Sequence, residues 1–401
     1  MPHSEPSERL AALPRYLFAE LERKRAEAEA AGREVIDLSI GDPDLPTPAP
    51  ILEKMAEAAR DPRNHRYPTS AGMPAARAEI AAWFGARFGV TLDPRRELGM
   101  LLGSKEGIGH LPLALLNPGD EALVPDPGYP VYAAGAVFAG ATPVRYPLRE
   151  SAGFLPEIRE LDRRVTERTR VVWVNYPNNP TGATAPHSFY EELVAWAVKR
   201  DLIVASDAAY SELYYDEPPP SILQFPGARE RAIEFHSFSK TFNMTGWRIG
   251  FAAGAPALID LLARFKANVD SGAPQATQIA AAWGLSALPA HGPALRTVYR
   301  ERRDAALDGL RALGCPVPTP GGAFFVWGRV PEGESAMDFA ARVFEGTGVL
   351  LTPGTGFGEG GEGYFRVALT SPVDVIRRAI AKLEALTPWR TRDVSPSAAI
   401  R

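Results

Sequence analysis

Cysteine is nearly absent from this 401-residue chain, where Cys315 stands alone. One thiol makes no internal disulfide and supplies no thiolate metal cluster, so the mark of an oxidising compartment is missing and a cytoplasmic location is expected. Long apolar runs are missing too, and no uncharged stretch approaches the ~20 residues of a membrane span. Met1 to Pro14 is polar and carries acidic residues, unlike a signal or transit peptide. An excess of either charge is also lacking. The formal net charge is -4 and no long basic run occurs, which removes the electrostatic footprint of nucleic-acid or anionic-membrane binding. The short N-terminal arm is too small for a DNA-reading helix-turn-helix. A small-molecule substrate is the expected partner.

Apolar residues, by contrast, make up 45% of the chain, enough for one large core and a smaller one. Short β-branched or Leu-rich runs at 99–103, 121–125, 171–175, 202–206 and 232–237 end in turn residues, and helical periodicity separates several of them, as at Ser188 to Arg200. The alternation predicts an α/β fold with a mostly parallel sheet flanked by helices. A large domain is expected at residues 50–285. A smaller α+β domain is expected from the arm 1–49 together with 286–389, and a frayed tail at 390–401. Ser7 to Gly32 and Tyr299 to Gly314 read as helices, and Ala323 to Val330 and Tyr364 to Leu369 as strands of the smaller unit.

Each run of the large unit is followed by a polar or glycine-containing loop: GSKEG, PDPGYP, NYPNNPTG, SDAAY and SFSK. Ligands of open α/β sheets lie outside the carboxyl ends of the strands, so these five loops are expected to meet at one site.

Lysine is scarce, with seven in the chain. Lys24, Lys54, Lys199, Lys266 and Lys382 fall in charged helical stretches, where a solvated surface position is expected. Lys105 and Lys240 instead follow strand-like runs. Around Lys240, in HSFSKTFNMTGWRIGF, Ser237, Ser239 and Arg248 offer hydroxyls and a cation, groups suited to a phosphate dianion beside a nucleophilic amine. The ordinary alternative is a surface loop. Asp207 and Tyr210, in DAAY, could serve a heteroaromatic ring, or be a helix cap and a core tyrosine. Asn179 precedes Pro180, which disfavours helical backbone and turns its amide toward the site, or marks a plain turn. GSKEG reads as strand, tight turn and helix, so the N–H groups near Ser104 and Lys105 would cradle an anion, although the Walker spacing is missing. Tyr129 would lie on a ring or simply fill a turn. Arg366, inside the apolar run YFRVAL, needs a carboxylate partner, which a substrate or a structural ion pair would supply.

Together these segments, with IGDPD and RYPTSAGMP, resemble fold-type-I, pyridoxal-phosphate-dependent aminotransferases of class I/II, in matching order along nearly the whole chain. The resemblance implies a seven-stranded-type sheet with pyridoxal 5'-phosphate as cofactor. It implies Lys240 as the Schiff-base lysine, Asp207 on the pyridine nitrogen, Tyr210 and Asn179 on the 3-oxygen and Tyr129 on the ring. Ser104, Lys105, Ser237, Ser239 and Arg248 would surround the phosphate. Arg366 and the backbone at Gly41 would hold the substrate carboxylate, with Lys105, Tyr129 and Asn179 also on the substrate side. Tyr67 matches a tyrosine that reaches the phosphate of a neighbouring subunit, which implies a homodimer with shared sites. Within the family, LPRYLFAELERKRAEA, NHRYPTSAGMP and NVDSG are most similar to the branch that acts on LL-2,6-diaminopimelate, where Tyr16 matches a substrate-side tyrosine. Enzymes for N-succinyl-diaminopimelate, aspartate, alanine or aromatic donors, and pyridoxal-phosphate lyases, share nearly the same cofactor loops. A non-catalytic binding protein on this fold would have lost Lys240, Asp207 or Arg366, and all three are present.

Overall fold

The computed structural model describes residues 5–14 and 17–386. Seven strands form the central sheet: β1 Leu98–Leu101, β2 Glu121–Asp126, β3 Thr142–Pro147, β4 Thr169–Asn175, β5 Ile203–Asp207, β6 Ala232–Ser237 and β7 Gly250–Gly254. Across the sheet the order is β1-β7-β6-β5-β4-β2-β3; β7 runs antiparallel to both its neighbours and the other pairs are parallel. The five runs expected as strands are all there. Two strands escape the sequence reading. The edge strand β3, TPVRYP, mixes prolines with polar residues, and β7, GFAAG, has no β-branched residue to announce it.

Strand β4 shows why the apolar runs are continuous. Successive side chains point to opposite faces, so Val171 and Trp173 join one core with Ile108, Leu111, Leu258 and Leu262. Val172 and Val174 join another with Ile51, Ile80, Phe84 and Leu193. Helices Ser104–Leu115, Val131–Phe138 and Pro256–Val269 supply the first face, and Ala49–Arg60, Pro74–Phe88, His187–Arg200 and Gln275–Ala287 the second. A strand covered on both sides has no face left for polar alternation.

A third core gathers Ile36, Leu38, Tyr299, Leu307, Phe324, Phe339, Val367 and Ile380. Its sheet is antiparallel, in the order Thr352–Pro353, Tyr364–Ala368, Phe325–Arg329. The N-terminal segment reaches this unit through Ile36–Asp37, which pairs in parallel with Val349–Leu350.

Two local expectations need correction. The stretch expected as one helix from Ser7 is two, Glu8–Ala11 and Leu17–Ala30; Pro14 between them cannot donate within a helix. Lys266, expected on a solvated surface, is only 2% exposed. It lies on the face of its helix that carries Leu258, Ile259 and Leu262, where Glu106 Oε2 at 2.8 Å and Asp270 Oδ2 at 3.1 Å supply the counter-charge. Tyr16 and the expected tail lie outside the described residues.

Candidate active site

The carboxyl ends of β1, β2, β4, β5 and β6 open on a cleft of about 320 Å³. Strand β7 runs the other way, so it begins at this edge and delivers Arg248 to the same place.

Gly103 ends the turn after β1 at φ +81° and precedes helix Ser104–Leu115, which no side chain caps. A Cβ on Gly103 would lie 2.6 Å from Arg248 Nη2, and one on Gly250 would lie 2.8 Å from the Ser104 backbone nitrogen. The two glycines therefore let the helix start and the guanidinium close on the same space. Arg248 itself is held at φ +50°, a strained value for a side-chain-bearing residue, and donates to Thr245 O at 2.8 Å. With Ser237 and Ser239 lining the same cleft, the helix N-terminus, two hydroxyls and a cation make an anion cradle.

Asp207 ends β5 and is 4% exposed. Its Oδ2 accepts from Tyr132 Oη at 2.7 Å and its Oδ1 from the Ala209 N–H at 3.1 Å. Burial raises its pKa and the Tyr132 hydrogen bond opposes that rise. No helix begins at Asp207, so the helix-cap alternative does not apply. Tyr132 is fixed in turn by stacking on Trp173, ring centroids 5.2 Å apart.

Lys240 sits in the short helix Phe238–Thr241 after β6, and its Nζ donates to Gly41 O at 3.0 Å. Burial, opposed by the nearby Asp42 carboxylate and reinforced by Arg248 and Arg366, lowers its pKa to about 8. Near neutrality a usable fraction of this amine is unprotonated. Tyr210 is buried edge-on against Phe324 and Phe325, and burial raises its pKa.

Arg366 comes from the smaller unit and is 2% exposed. It donates to Asn179 Oδ1 at 2.8 Å and to Ser39 O at 2.6 Å, and lies over the Phe325 ring.

A family model described as "Aminotransferase class I and II" matches residues 33–383. The chain belongs to this family. It is similar to the LL-diaminopimelate aminotransferase of Aquifex aeolicus, 48% identical over 383 residues, 95% of this chain and 99% of that protein. The Moorella thermoacetica enzyme of the same name is 49% identical over 383 residues, covering 94% and 97%. Among solved structures, apo-BacF from Bacillus subtilis superposes with a TM-score of 0.93 at 37% identity, covering 96% of this chain and 99% of that one. Aspartate aminotransferase of Thermus thermophilus gives 0.90 at 30% identity, covering 96% and 100%. Backbones this alike carry differently named enzymes, so the shared fold leaves the amino donor open.

For this aminotransferase, Gly41, Ser104, Lys105, Tyr129, Asn179, Asp207, Tyr210, Ser237, Ser239, Lys240, Arg248 and Arg366 all line the one cleft. Tyr67 does not: it is 88% exposed on the surface of its own chain. The sequence reading missed Tyr132, which lies in the first turn of helix Val131–Phe138, just after the PDPGYP loop. It also missed Glu22, Asp42, Thr245 and Phe325, which line the cleft; all but Thr245 sit in segments with no strand-end signature.

Proposed function

We propose that this aminotransferase binds pyridoxal 5'-phosphate through Lys240 and transfers the amino group of LL-2,6-diaminopimelate to 2-oxoglutarate. The observation that carries the reading is the meeting of three groups in one cleft: a lysine of lowered pKa, a buried carboxylate and a buried arginine. The residues fit the cofactor. The cradle at Ser104, Ser237, Ser239 and Arg248 suits its phosphate, Asp207 suits a protonated pyridine nitrogen, and Tyr210 and Asn179 suit its 3-oxygen. Bound there, the cofactor supplies an electron sink for the charge left on the substrate α-carbon.

The protein's own work follows from the geometry. Arg366 presents its fork to the substrate α-carboxylate, with Asn179 and Ser39 fixing the guanidinium. Asp207, oriented by Tyr132 and the Ala209 N–H, keeps a negative charge against the ring nitrogen. Lys240 Nζ, whose pKa burial lowers, is placed to take and return the substrate α-proton. Tyr129, which lines the cleft, would pack on the cofactor ring. The division expected at 50–285 and 286–389 puts the cofactor on the larger unit and the carboxylate clamp on the smaller. An exposed Tyr67 supports a homodimer in which this ring serves the partner's site, in an enzyme of the cytoplasm. No helix among the described residues is long and apolar enough to cross a membrane.

Borohydride reduction followed by peptide mapping tests the chemistry: the pyridoxyl label belongs on Lys240, and a label on Lys105 or on no lysine overturns the assignment. The substrate is tested by kcat/KM for LL-diaminopimelate, its meso isomer, its N-succinyl derivative, aspartate, alanine and phenylalanine, all with 2-oxoglutarate. Another donor preferred by tenfold, ~1.4 kcal/mol in transition-state binding, overturns the substrate and leaves the aminotransferase.

A further inference from the structure

Far from its reacting carbon, a 2,6-diamino diacid carries an ammonium as well as a carboxylate, whereas 2-oxoglutarate brings a carboxylate alone. The cleft is rich in cations, with Lys105, Lys240, Arg248 and Arg366 on its walls. These suit phosphate and carboxylates, and none attracts an ammonium. Asp207 is committed to Tyr132 and the Ala209 N–H, and Asp42 acts on Lys240.

We infer that Glu22 binds the distal ammonium of the diamino substrate and sets the preference for it, an inference that rests on the function proposed above. Glu22 lines the cleft from helix Leu17–Ala30. Its neighbours on that helix are engaged: Arg23 pairs with Glu27, and Arg25 with Glu29 and Asp37. Glu22 is exposed at the mouth of the cleft, and its side chain makes no hydrogen bond or ion pair among the described residues.

Its position is tied to the carboxylate clamp. Leu21 and Ala28 bury one face of the helix against Phe344 and Leu350. Arg25, about one turn beyond Glu22, donates to Asp37 Oδ2 at 3.2 Å; Asp37 Oδ1 holds the Ser39 N–H at 2.8 Å and its hydroxyl at 2.7 Å. The Ser39 carbonyl then accepts from Arg366 at 2.6 Å. The helix that carries Glu22 is therefore tied to Arg366 by one hydrogen-bonded chain. A diacid gripped at one end by Arg366 has its other end placed in that frame, where a carboxylate attracts an ammonium.

The test compares holoenzyme and its Glu22→Gln variant, which keeps the size and loses the charge. Donors are LL-diaminopimelate, L-2-aminopimelate, which lacks only the distal amine, and glutamate, each followed through the change in cofactor absorbance in a single half-reaction. The wild type is expected to favour LL-diaminopimelate over L-2-aminopimelate by about tenfold or more, the scale of a charge-assisted hydrogen bond. Glu22→Gln should lower kcat/KM for LL-diaminopimelate by about tenfold, through KM, and leave the other two donors within about twofold, so that the preference vanishes. Glu22→Asp should retain part of it. Equal losses on all donors, the mark of a structural role, overturn the inference, as does a preference that survives in Glu22→Gln. A wild type that uses glutamate but not LL-diaminopimelate overturns the substrate reading itself and this inference with it.

Discussion

Tyr132 donates its hydroxyl to Asp207 Oδ2 at 2.7 Å, and both side chains are buried. Burial raises the Asp207 pKa, and this hydrogen bond opposes the rise. Tyr132→Phe removes the donor and keeps the ring stacked on Trp173, so the fold should persist while Asp207 becomes easier to protonate. We expect kcat to fall by about tenfold, the scale of a hydrogen bond to a charged group, and the acid limb of the kcat–pH profile to move up. Asp207→Asn should cost on the order of 10² or more. An unchanged profile in Tyr132→Phe would show that Asp207 is held by other means.

Gly103 is the second sensitive point. Gly103→Ala brings both a left-handed backbone, at a cost of about 1 kcal/mol, and a Cβ 2.6 Å from Arg248 Nη2. Gly119→Ala is the control, since Gly119 has φ +89° and nothing within 4 Å of its Cβ position. Both variants should lose similar backbone stability in thermal melts. Only Gly103→Ala should weaken cofactor retention, by about tenfold or more, measured by equilibrium dialysis. Equal retention in the two variants would separate the Gly103–Arg248 contact from the cradle.

The lysine pKa of about 8 carries a sign. Because the folded value lies below the ordinary 10.5, the unfolded chain binds more protons between the two, and Lys240 destabilises the cofactor-free fold fully below about pH 8. That penalty is relieved as pH rises from about 8 toward 10.5. Cofactor-free Lys240→Met should therefore melt above the cofactor-free wild type at pH 7, and the gap should narrow between pH 8 and 10. The variant should show no turnover. A gap that stays constant with pH would argue against a depressed lysine.

Arg366→Lys keeps the charge and loses the fork. The kcat/KM for the amino donor and for 2-oxoglutarate should both fall, by roughly 10² each, because the same guanidinium grips both α-carboxylates. Steady-state kinetics with each substrate varied in turn decides it, and a loss confined to one of them would place the clamp elsewhere.

Lys266→Met leaves Glu106 and Asp270 without their buried cation, a loss of about 3 kcal/mol or more. Glu106, whose pKa is lowered by its hydrogen bonds to His110 and Lys266 against an opposing desolvation, stabilises the fold above its unfolded pKa. That contribution is lost as pH falls through the lower folded value. The melting difference between wild type and variant should thus be large at pH 7 and shrink below about pH 4. A difference independent of pH would point to packing instead of charge.

Much of this molecule can be read along the chain. The strand runs, the turn residues after them and Lys240 with its Ser and Arg neighbours are local patterns. Each reflects backbone and side-chain chemistry that acts within a few residues. The same reading fails where position depends on partners distant in sequence. Strand β7 is made a strand by lying between β1 and β6, and Lys266 is buried because Glu106, 160 residues away, meets it.

The sequence by itself determined the α/β architecture, the loops that end its strands and the chemical groups those loops carry. Tertiary structure alone decided which of those groups act together. Tyr132 reaches Asp207 across 75 residues, Ser39 reaches Arg366 across 327, and Glu22 comes to the cleft from a helix whose other face packs on Phe344 and Leu350. The reason is physical: a hydrogen bond or charge contact depends on separations of a few ångströms, and local sequence patterns constrain distances only within an element. Distances between elements are set by how the cores pack.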